Sequence, residues 1–344
     1  MQKPVLVIKL GTAAISDDKG FIDKSVIKKL AAELAEISKE YYLVLVSSGA
    51  VGSGKRFFPK YKGSLIERKA AAAVGNPILI QLYHKYFFRY GITVAQALCE
   101  RHHFSNRQQF LQLKETFNEF WDNNILPVVN ENDLVSNVEL KFSDNDELAT
   151  LIAVGFNASK MVIATSVGGL LNKEGAVIDR VEKIDSEIRS FVDTKKSSSG
   201  LGGMVSKLTF TRLATSLGIQ VIMCGLNGKS PISKALAGKS GTIFEAGKSD
   251  LKSRQKWLAS GSITFGGLRI DSGAATALAS RKSLLTVGIR EVLGNFSAGE
   301  VIQIKDEADT ILGVAKSKIG SSEIKDQLKQ KNKVAAHADD IVIF

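Results

Sequence analysis

Three segments of the sequence combine glycine with hydroxyl or lysine side chains at the end of an apolar run. The first is VIKLGT, in which Lys9 is followed by Gly11 and Thr12. The second is SSGA, residues 47–50, directly after the run LVLV, and the third is SSSGLGGMVSK, which ends in Lys207. Glycine lets backbone N–H groups approach an anion closely, and a neighbouring lysine adds positive charge. These segments therefore predict sites for phosphate and carboxylate groups.

The continuation of the second segment, GAVGSGKR, differs in one residue from the phosphate loop G-x-x-x-x-G-K-[ST]. That motif needs Ser or Thr after the lysine to bind Mg²⁺, and Arg56 stands there. The run MVIATS also ends in Ser166 instead of a metal-binding acid. We therefore reject a phosphate loop here. Ser47, Ser48 and Gly49 are interpreted instead as donors for a carboxylate-bearing small molecule.

A fourth segment, PVVNENDLVSNVELKFSDNDELA, is rich in carboxylates and amides. Asn130 and Asp133 follow an apolar run, and Asp144, Asn145 and Asp146 precede a helical pattern. So many polar groups cannot all be buried without partners. They are either solvated turn residues or partners for ammonium groups, lysines and a metal.

Apolar runs alternate with helical periodicity through about residue 245, which predicts an α/β fold with a mostly parallel sheet sandwiched by helices. Such sheets bind ligands at the carboxyl ends of their strands. One helix is predicted after Asp23 as its N-cap, and another over 65–90 that Pro77 kinks or splits. After residue 245, short strands and turns predict a small, mainly-β domain. The predicted strands of the first part are Val5–Lys9, Leu43–Val46, Thr93–Ala97, Leu126–Val129, Met161–Ala164 and Gln220–Met223.

Charge and composition narrow the class of protein. The net charge of +11 would suit nucleic acid or anionic small molecules, and because no dense basic block occurs, we favour small molecules. No apolar run approaches the roughly 20 residues of a membrane span, and the N-terminal residues lack a signal-peptide pattern. We therefore predict a cytoplasmic protein with no membrane partner. Cys99 and Cys224, far apart in apolar surroundings, predict buried thiols.

The motifs VIKLGT, SSGAV, KAAAAVGN, PVVNENDLV, DNDELA and GLGGMVSK, in this order, resemble those of the glutamate 5-kinase family. The later segments LRIDSGAATAL and GIREVLGNFSAGEVIQI resemble the PUA domain that these kinases often carry. The resemblance implies an amino-acid-kinase domain over 1–250, a linker over 251–264 and a PUA-like domain over 265–344. It also implies transfer of the γ-phosphoryl group of ATP to the side-chain carboxylate of L-glutamate, the first step of proline biosynthesis. Mg²⁺ would be held mainly by phosphates and water.

The resemblance also assigns roles to single residues. Lys9 and Lys207 would flank the transferred phosphoryl group, and Asp146 would hold both lysines. Ser166 stands where these kinases usually have Asp, and Asn76 where they have Gln. The residues that would bind glutamate are Ser48, Gly49, Ala50, Asn130, Asp133, Asp144 and Asn145. Those that would contact ATP are Lys9, Gly11, Thr12, Thr165, Ser166, Leu201, Gly202, Gly203, Met204 and Lys207.

Two other functions remain open at this point. The same fold could act on acetylglutamate, aspartate, carbamate or uridylate, although such kinases lack the pairing of NEND with DND. Alternatively, the chain could be an RNA-binding or regulatory protein whose kinase domain has decayed, which the presence of both lysines and Asp146 disfavours. We prefer a structural role of the PUA-like domain to RNA binding. Proline as a feedback inhibitor and a homo-oligomer, dimer or tetramer, are expectations from the resemblance alone.

Overall fold

A computed structural model of the chain describes residues 3–134, 144–191, 203–247, 266–296, 298–328 and 333–343. By their internal contacts the residues group into two compact units, Met1–Glu100 with Lys114–Lys248, and Arg101–Leu113 with Ser249–Phe344. The predicted linker over 251–264 lies outside the described residues. The domain bounds inferred from the sequence stay a prediction.

The first unit is built on an eight-stranded sheet in the order β3-β4-β2-β1-β5-β7-β8-β6. Its neighbouring strands run parallel except for the antiparallel pair β7 and β8. All six strands predicted for this part are present. The strands are β1 (Val5–Leu10), β2 (Tyr42–Ser47), β3 (Thr93–Cys99), β4 (Ile125–Glu131), β5 (Lys160–Ala164), β6 (Arg180–Val181), β7 (Gln220–Cys224) and β8 (Thr242–Phe244).

Helices connect these strands, as the alternating pattern predicts. They are α1 (Thr12–Ile15), α2 (Lys24–Ile37), α3 (Ala50–Gly54), α4 (Leu65–Phe87), α5 (His102–Ser105), α6 (Arg107–Asp122), α7 (Asn145–Gly155), α8 (Ser186–Ser190), α9 (Met204–Ser216) and α10 (Pro231–Leu236). Alternate residues of β1, Leu6, Ile8 and Leu10, pack in one apolar core with residues of α2 and α4. Helix α7 packs on β1, β2, β4 and β5, and also against α9. The sheet is therefore covered by helices on both faces, as predicted.

Local sequence signals account for the starts of the long helices. Asp23 caps α2 by accepting a hydrogen bond from the backbone N–H of Ser25, as predicted. Helix α4 begins with a capping box in which Ser64 and Glu67 each accept from the other's backbone N–H. Pro77 lies inside α4 without ending it, so the helix is not split there, and a kink, the other predicted effect, stays a prediction. Leu79 and Tyr83 beyond the proline are buried, and this packing stabilises the helix across it.

The last glycine of GAVGSGKR serves helix packing. Gly54 lies on α3, and a Cβ atom there would come within 1.9 Å of the carbonyl oxygen of Ala71 on α4. A Cβ atom on Gly75 of α4 would come within 1.8 Å of the carbonyl oxygen of Ala50. Only residues without a side chain allow the two backbones this separation. The ammonium group of the nearby Lys55 donates a hydrogen bond to the carbonyl oxygen of Lys19 at 3.0 Å. Lys55 is thus engaged with the backbone, which agrees with the rejection of a phosphate loop at this segment.

The second unit has a five-stranded sheet in the order β11-β9-β12-β13-β15 and a separate pair β10 and β14. Its own core is formed by residues such as Leu268, Ile302 and Ile324. The prediction of a small, mainly-β domain is therefore correct. Its strands are β9 (Gly266–Ile270), β10 (Leu284–Leu285), β11 (Ile289–Gly294), β12 (Val301–Lys305), β13 (Ile311–Lys316), β14 (Val334–Ala336) and β15 (Ile341–Ile343), with helices α11 (Ser272–Ala279) and α12 (Ser321–Gln327).

Candidate active site

The carboxyl ends of four neighbouring strands, β4, β2, β1 and β5, form the candidate active site. Lys9 lies near the end of β1, Ser48 follows β2, Asn130 lies near the end of β4 and Thr165 follows β5. These strands are parallel, so their ends meet at one edge of the sheet. Open α/β sheets bind ligands at this edge.

Asp146 is the centre of a buried ion-pair triad. Its Oδ1 lies 2.7 Å from the Nζ of Lys9, and its Oδ2 lies 2.9 Å from the Nζ of Lys207. The carboxylate is fully buried, and the side chains of Lys9 and Lys207 are only 6% and 13% exposed. Buried charges persist only when they are paired, and here one carboxylate faces two ammonium groups. The triad therefore carries a net positive charge, which suits a phosphoryl group.

The start of α7 places Asp146 and its neighbours. Asp144 caps the helix, because its Oδ1 accepts from the backbone N–H groups of Asp146 and Glu147 at 2.8 and 3.1 Å. Asn145 and Asp146 are thereby fixed in the first turn, with Asn145 half-buried and Asp146 buried. Two successive residues consequently point toward different partners, one to the lysines and one to β2 and β4.

Helix α9 brings the second lysine. It begins after Gly203 as N-cap, with Met204 as its first residue, and Lys207 lies in its first turn. The hydroxyl of Ser206 donates to Oδ2 of Asp144 at 2.5 Å. Adjacent residues of α9 therefore contact both Asp144 and Asp146, which joins the starts of two helices at the site.

The electrostatic environment of Asp144 differs from that of a solvated carboxylate. Burial raises the pKa of the Asp144 carboxyl above its ordinary value, and the like charge of Asp146 raises it further. The hydrogen bonds from Ser206 and from the backbone N–H of Glu147 oppose this shift. Burial and the charge of Asp146 therefore disfavour the charged form of this carboxyl, and the two hydrogen bonds favour it.

A set of amides and hydroxyls faces the triad from β2 and β4. The Nδ2 of Asn145 donates to the Oγ of Ser48 at 2.9 Å and to the Oδ1 of Asn130 at 3.0 Å. Gly49 has a φ of 109°, and a Cβ atom there would come within 2.5 Å of the side chain of Ile22. The central position of the turn Ser48–Gly49–Ala50 therefore requires glycine. Asp133 follows β4 in a turn and is half-buried.

Residues predicted for the nucleotide side line the ends of β1 and β5. Gly11 precedes α1, and the position of a Cβ atom there lies 3.6 Å from the Nζ of Lys9, so the backbone of Gly11 lies beside this ammonium group. Thr12 is exposed at the start of α1. The Oγ1 of Thr165 is buried and has no partner among the described residues, whereas Ser166 is exposed. Leu201 and Gly202 lie outside the described residues, so their predicted ATP contacts stay predictions.

The carboxylates of this site are engaged by donors of the protein itself. Within the described ranges, no group of three or more His, Cys, Asp and Glu side chains is placed to hold a metal ion. The oxygens of Asp146 face lysines, and those of Asp144 accept from Ser206 and from backbone N–H groups. Among the described residues, this donor set does not form a carboxylate cage for a divalent cation.

Two residues of this site carry no role in the sequence prediction. Asn76, on α4, accepts a hydrogen bond at its Oδ1 from the Nδ2 of Asn130 at 3.1 Å. Ser206 holds Asp144, as described above. The signal for Asn76 was an amide at the end of the small, apolar run AAAAVG, but such a residue reveals its partner only when β4 is placed beside α4. Ser206 had no signal beyond its position next to Lys207.

Residues 4–225 match the amino acid kinase family, and residues 266–337 match the PUA domain. The carbamate kinase of Giardia lamblia bound to AMP-PNP shares the fold, with a TM-score of 0.50 and 21% identity over 71% of this chain and 99% of that one. The UMP kinase of Bacillus anthracis has a TM-score of 0.50 and 13% identity over 71% of this chain and 97% of that one. The chain therefore belongs to the amino acid kinase family and carries a PUA domain.

Curated relatives place the chain within that family. It is 35% identical to the glutamate 5-kinase of Kosmotoga olearia over 98% of each chain. It is 33% identical to the glutamate 5-kinase of Klebsiella pneumoniae over 99% of each chain. With the Bacillus cereus glutamate 5-kinase it shares 33% identity, over 95% of this chain and 92% of that one. The chain is a member of the glutamate 5-kinases, as its motifs predict. None of its described helices combines the length and hydropathy that crossing a membrane requires.

Proposed function

We propose that this chain transfers the γ-phosphoryl group of ATP to the side-chain carboxylate of L-glutamate. The observation that carries the proposal is the triad of Lys9, Asp146 and Lys207 beside the polar pocket of Ser48, Asn130 and Asn145. The triad offers positive charge to a phosphoryl group, and the pocket offers hydroxyl and amide groups to an amino acid. The relatives named above carry the same activity in their names.

The chemical step needs no general base. An oxygen of the glutamate carboxylate, already anionic at neutral pH, forms a bond to the γ-phosphorus while the bond from that phosphorus to the bridging oxygen of ADP breaks. ADP leaves with the electron pair, and no proton moves. The barrier lies in bringing two anions together and in the charge that spreads over the phosphoryl oxygens.

Lys9 and Lys207 meet that requirement in the proposed mechanism. Their ammonium groups stabilise the phosphoryl oxygens, and Asp146 keeps both in place between turnovers. The backbone N–H groups at Gly11 and at the start of α9 after Gly203 donate hydrogen bonds to phosphate oxygens. Mg²⁺ would neutralise phosphate charge, and it would be held mainly by phosphates and water, since the described residues offer no cluster of ligands for it.

Glutamate occupies the pocket on the other side of the triad. Ser48, Asn145 and Asn130 face its polar groups, and Asp133 faces its α-ammonium group. Gly49 and Ala50 supply the close backbone of the turn, and Asp144 supports the pocket from the start of α7. Proline as an inhibitor, a homo-oligomer and a cytoplasmic location stay predictions from the sequence.

RNA binding by the second unit is not part of this proposal. Several of its cations are already paired, since Arg269 contacts Glu291 and Asp309. Arg290 lies 3.4 Å from Asp271, and Lys333 lies 3.1 Å from Glu323. Paired cations offer less positive charge to a phosphate backbone than unpaired ones.

The deciding experiment traps the acyl phosphate. The protein is incubated with ATP, Mg²⁺, L-glutamate and hydroxylamine, and γ-glutamyl hydroxamate is measured. Formation of the hydroxamate only when all components are present supports the proposal. ADP release is followed in parallel with acetylglutamate, aspartate, carbamate and uridylate. Faster turnover with any of these, and no hydroxamate from glutamate, would refute the assignment of the acceptor.

A further inference from the structure

A chain of hydrogen bonds, here called the amide relay, runs from helix α4 into the glutamate side of the site. Its members are Asn76, Asn130, Asn145 and Ser48. Asn76 Oδ1 accepts from Asn130 Nδ2 at 3.1 Å, and Asn130 Oδ1 accepts from Asn145 Nδ2 at 3.0 Å. Asn145 Nδ2 also donates to Ser48 Oγ at 2.9 Å. The relay joins the buried Asn76 to Ser48 and Asn145, the two side chains at its other end that the proposed function assigns to glutamate.

The direction of every hydrogen bond in the relay is fixed. The backbone N–H of Glu131 donates to Asn130 Oδ1 at 3.0 Å, and a backbone N–H can only donate. The carbonyl oxygen of Asn130 must therefore lie on that side, and its NH₂ group must face Asn76. Asn76 has to present an oxygen to it, which an amide on α4 can do.

The relay also fixes which groups remain for a ligand. Asn145 uses both hydrogens of its Nδ2, on Asn130 and on Ser48. Its Oδ1 therefore stays an acceptor and has no partner among the described residues. Ser48 Oγ accepts from Asn145, so its hydroxyl hydrogen is left to donate. The pocket thus offers an acceptor for an ammonium group and a donor for a carboxylate.

Burial makes Asn76 the support of this arrangement. Asn76 is 8% exposed and Asn130 is 6% exposed, so water has little access to replace a lost partner. Gly75 beside it allows α4 to lie close against α3. Without an oxygen at position 76, the NH₂ group of Asn130 would be buried without an acceptor, and the amide would be held only through its oxygen, by the backbone N–H of Glu131 and by Asn145.

We propose that Asn76 is a positioning residue that holds Asn130 in the relay and so keeps Ser48 as a donor and Asn145 Oδ1 as an acceptor. It thereby selects an acceptor substrate that carries both a carboxylate and an ammonium group. This inference rests on the proposed function, because the substrate pocket is the one assigned there to glutamate. It adds a residue from α4 that contacts neither substrate.

The test compares kcat/KM for L-glutamate with that for glutarate, which lacks the ammonium group. Asn76→Leu removes the acceptor at similar size, and we expect it to lower the glutamate-to-glutarate ratio about tenfold, as loss of a buried hydrogen-bond partner does. The KM for ATP should stay unchanged. Asn76→Asp keeps an acceptor oxygen and should hold the ratio within about threefold of wild type. Gln81→Leu, an exposed position on the same helix, is the matched control.

The outcomes separate this inference from the proposed function. If wild type forms γ-glutamyl hydroxamate and Asn76→Leu keeps the full ratio, the role of Asn76 is refuted while the kinase activity stands. If wild type forms no hydroxamate, both fail. If Asn76→Leu loses its cooperative unfolding transition, the Asn76→Asp variant decides. A glutamate-to-glutarate ratio about tenfold below that of wild type in this folded variant would overturn the inference, because the acceptor oxygen is still present.

Discussion

The ammonium groups of Lys9 and Lys207 lie on the two oxygens of a single carboxylate. Lys9 comes from the first strand and Lys207 from helix α9, and Asp146 holds them at 2.7 and 2.9 Å. The two cations are therefore held side by side before any phosphate enters. Electrostatic stabilisation is most effective when the charges are already in place, so this relationship is the basis of the predictions for catalysis.

Removing either cation should lower kcat and leave the fold intact. We expect Lys9→Ala and Lys207→Ala each to reduce kcat by on the order of 10²–10³, the cost of losing one electrostatic stabiliser. Hydroxamate formation under saturating substrates measures kcat, and circular dichroism checks the fold. Lys55→Ala is the matched control, since Lys55 donates to the carbonyl oxygen of Lys19 outside the triad. If Lys55→Ala were as damaging as the other two, the glycine-rich segment would have to be reconsidered as a phosphate site.

Neutralising Asp146 should damage both activity and stability. Asp146→Asn leaves two buried ammonium groups without their counter-ion, and breaking a buried pair costs about 3–5 kcal/mol of unfolding free energy. We expect a lower urea midpoint and a kcat reduced at least as much as in the lysine variants. A variant of normal stability and turnover would show that the lysines are held by other groups.

Replacing Gly75 should destabilise the first unit. A Cβ atom at this position would lie 1.8 Å from the backbone oxygen of Ala50, so α3 and α4 would have to separate. We expect Gly75→Ala to cost about 3 kcal/mol or more of unfolding free energy. Gly91→Ala is the comparison, because its φ is +70° but nothing lies within 4 Å of a Cβ atom there. That variant should lose only about 1–2 kcal/mol, from backbone strain. Equal midpoints in thermal unfolding would contradict the close-packing argument.

The raised pKa of Asp144 should leave a signature in the pH dependence of stability. Its carboxyl binds a proton more tightly in the native protein than in the unfolded chain, where the ordinary value is 3.8. Between these two pKa values the native state therefore binds more protons, and the free energy of unfolding contributed by Asp144 falls as the pH rises. Asp144→Asn cannot titrate and should lack this contribution. Urea midpoints of both proteins across the interval above pH 3.8 measure it; parallel curves would show that Asp144 does not titrate differently in the two states.

Both cysteines should be inert in the native protein. Burial raises the pKa of the Cys99 thiol to about 12, and burial with the charge of Glu33 raises that of Cys224 to about 12. The thiolate is the reactive form, so a thiol reagent at about pH 8 should label neither residue until denaturant is added. Labelling followed by mass spectrometry checks this. Rapid modification of the native protein at either position would show that the thiol is accessible.

Six of the eight described strands of the first unit and the starts of α2, α4 and α7 follow from patterns in the sequence, and the family resemblance implies the triad. Val5–Leu10 and its neighbours are continuous apolar runs, which a sheet buried on both faces requires, so their pattern predicts them directly. Lys9, Asp146 and Lys207 were identified because each lies in a motif whose order along the chain is specific. The capping position of Asp144 follows from an acid directly before a helical pattern.

The contacts that these motifs make depend on how distant segments pack together, which the sequence patterns do not specify. Pro77 does not divide α4, because packing around Tyr83 outweighs the lost hydrogen bond of one residue. Gly54 and Gly75 allow α3 to approach α4, a contact between segments that no local pattern encodes. Asn76 and Ser206 reach the site because α4 and α9 are placed beside β4 and α7. Hydrogen bonds between distant segments depend on distances of a few tenths of an ångström, and periodicity in a sequence specifies faces, not distances.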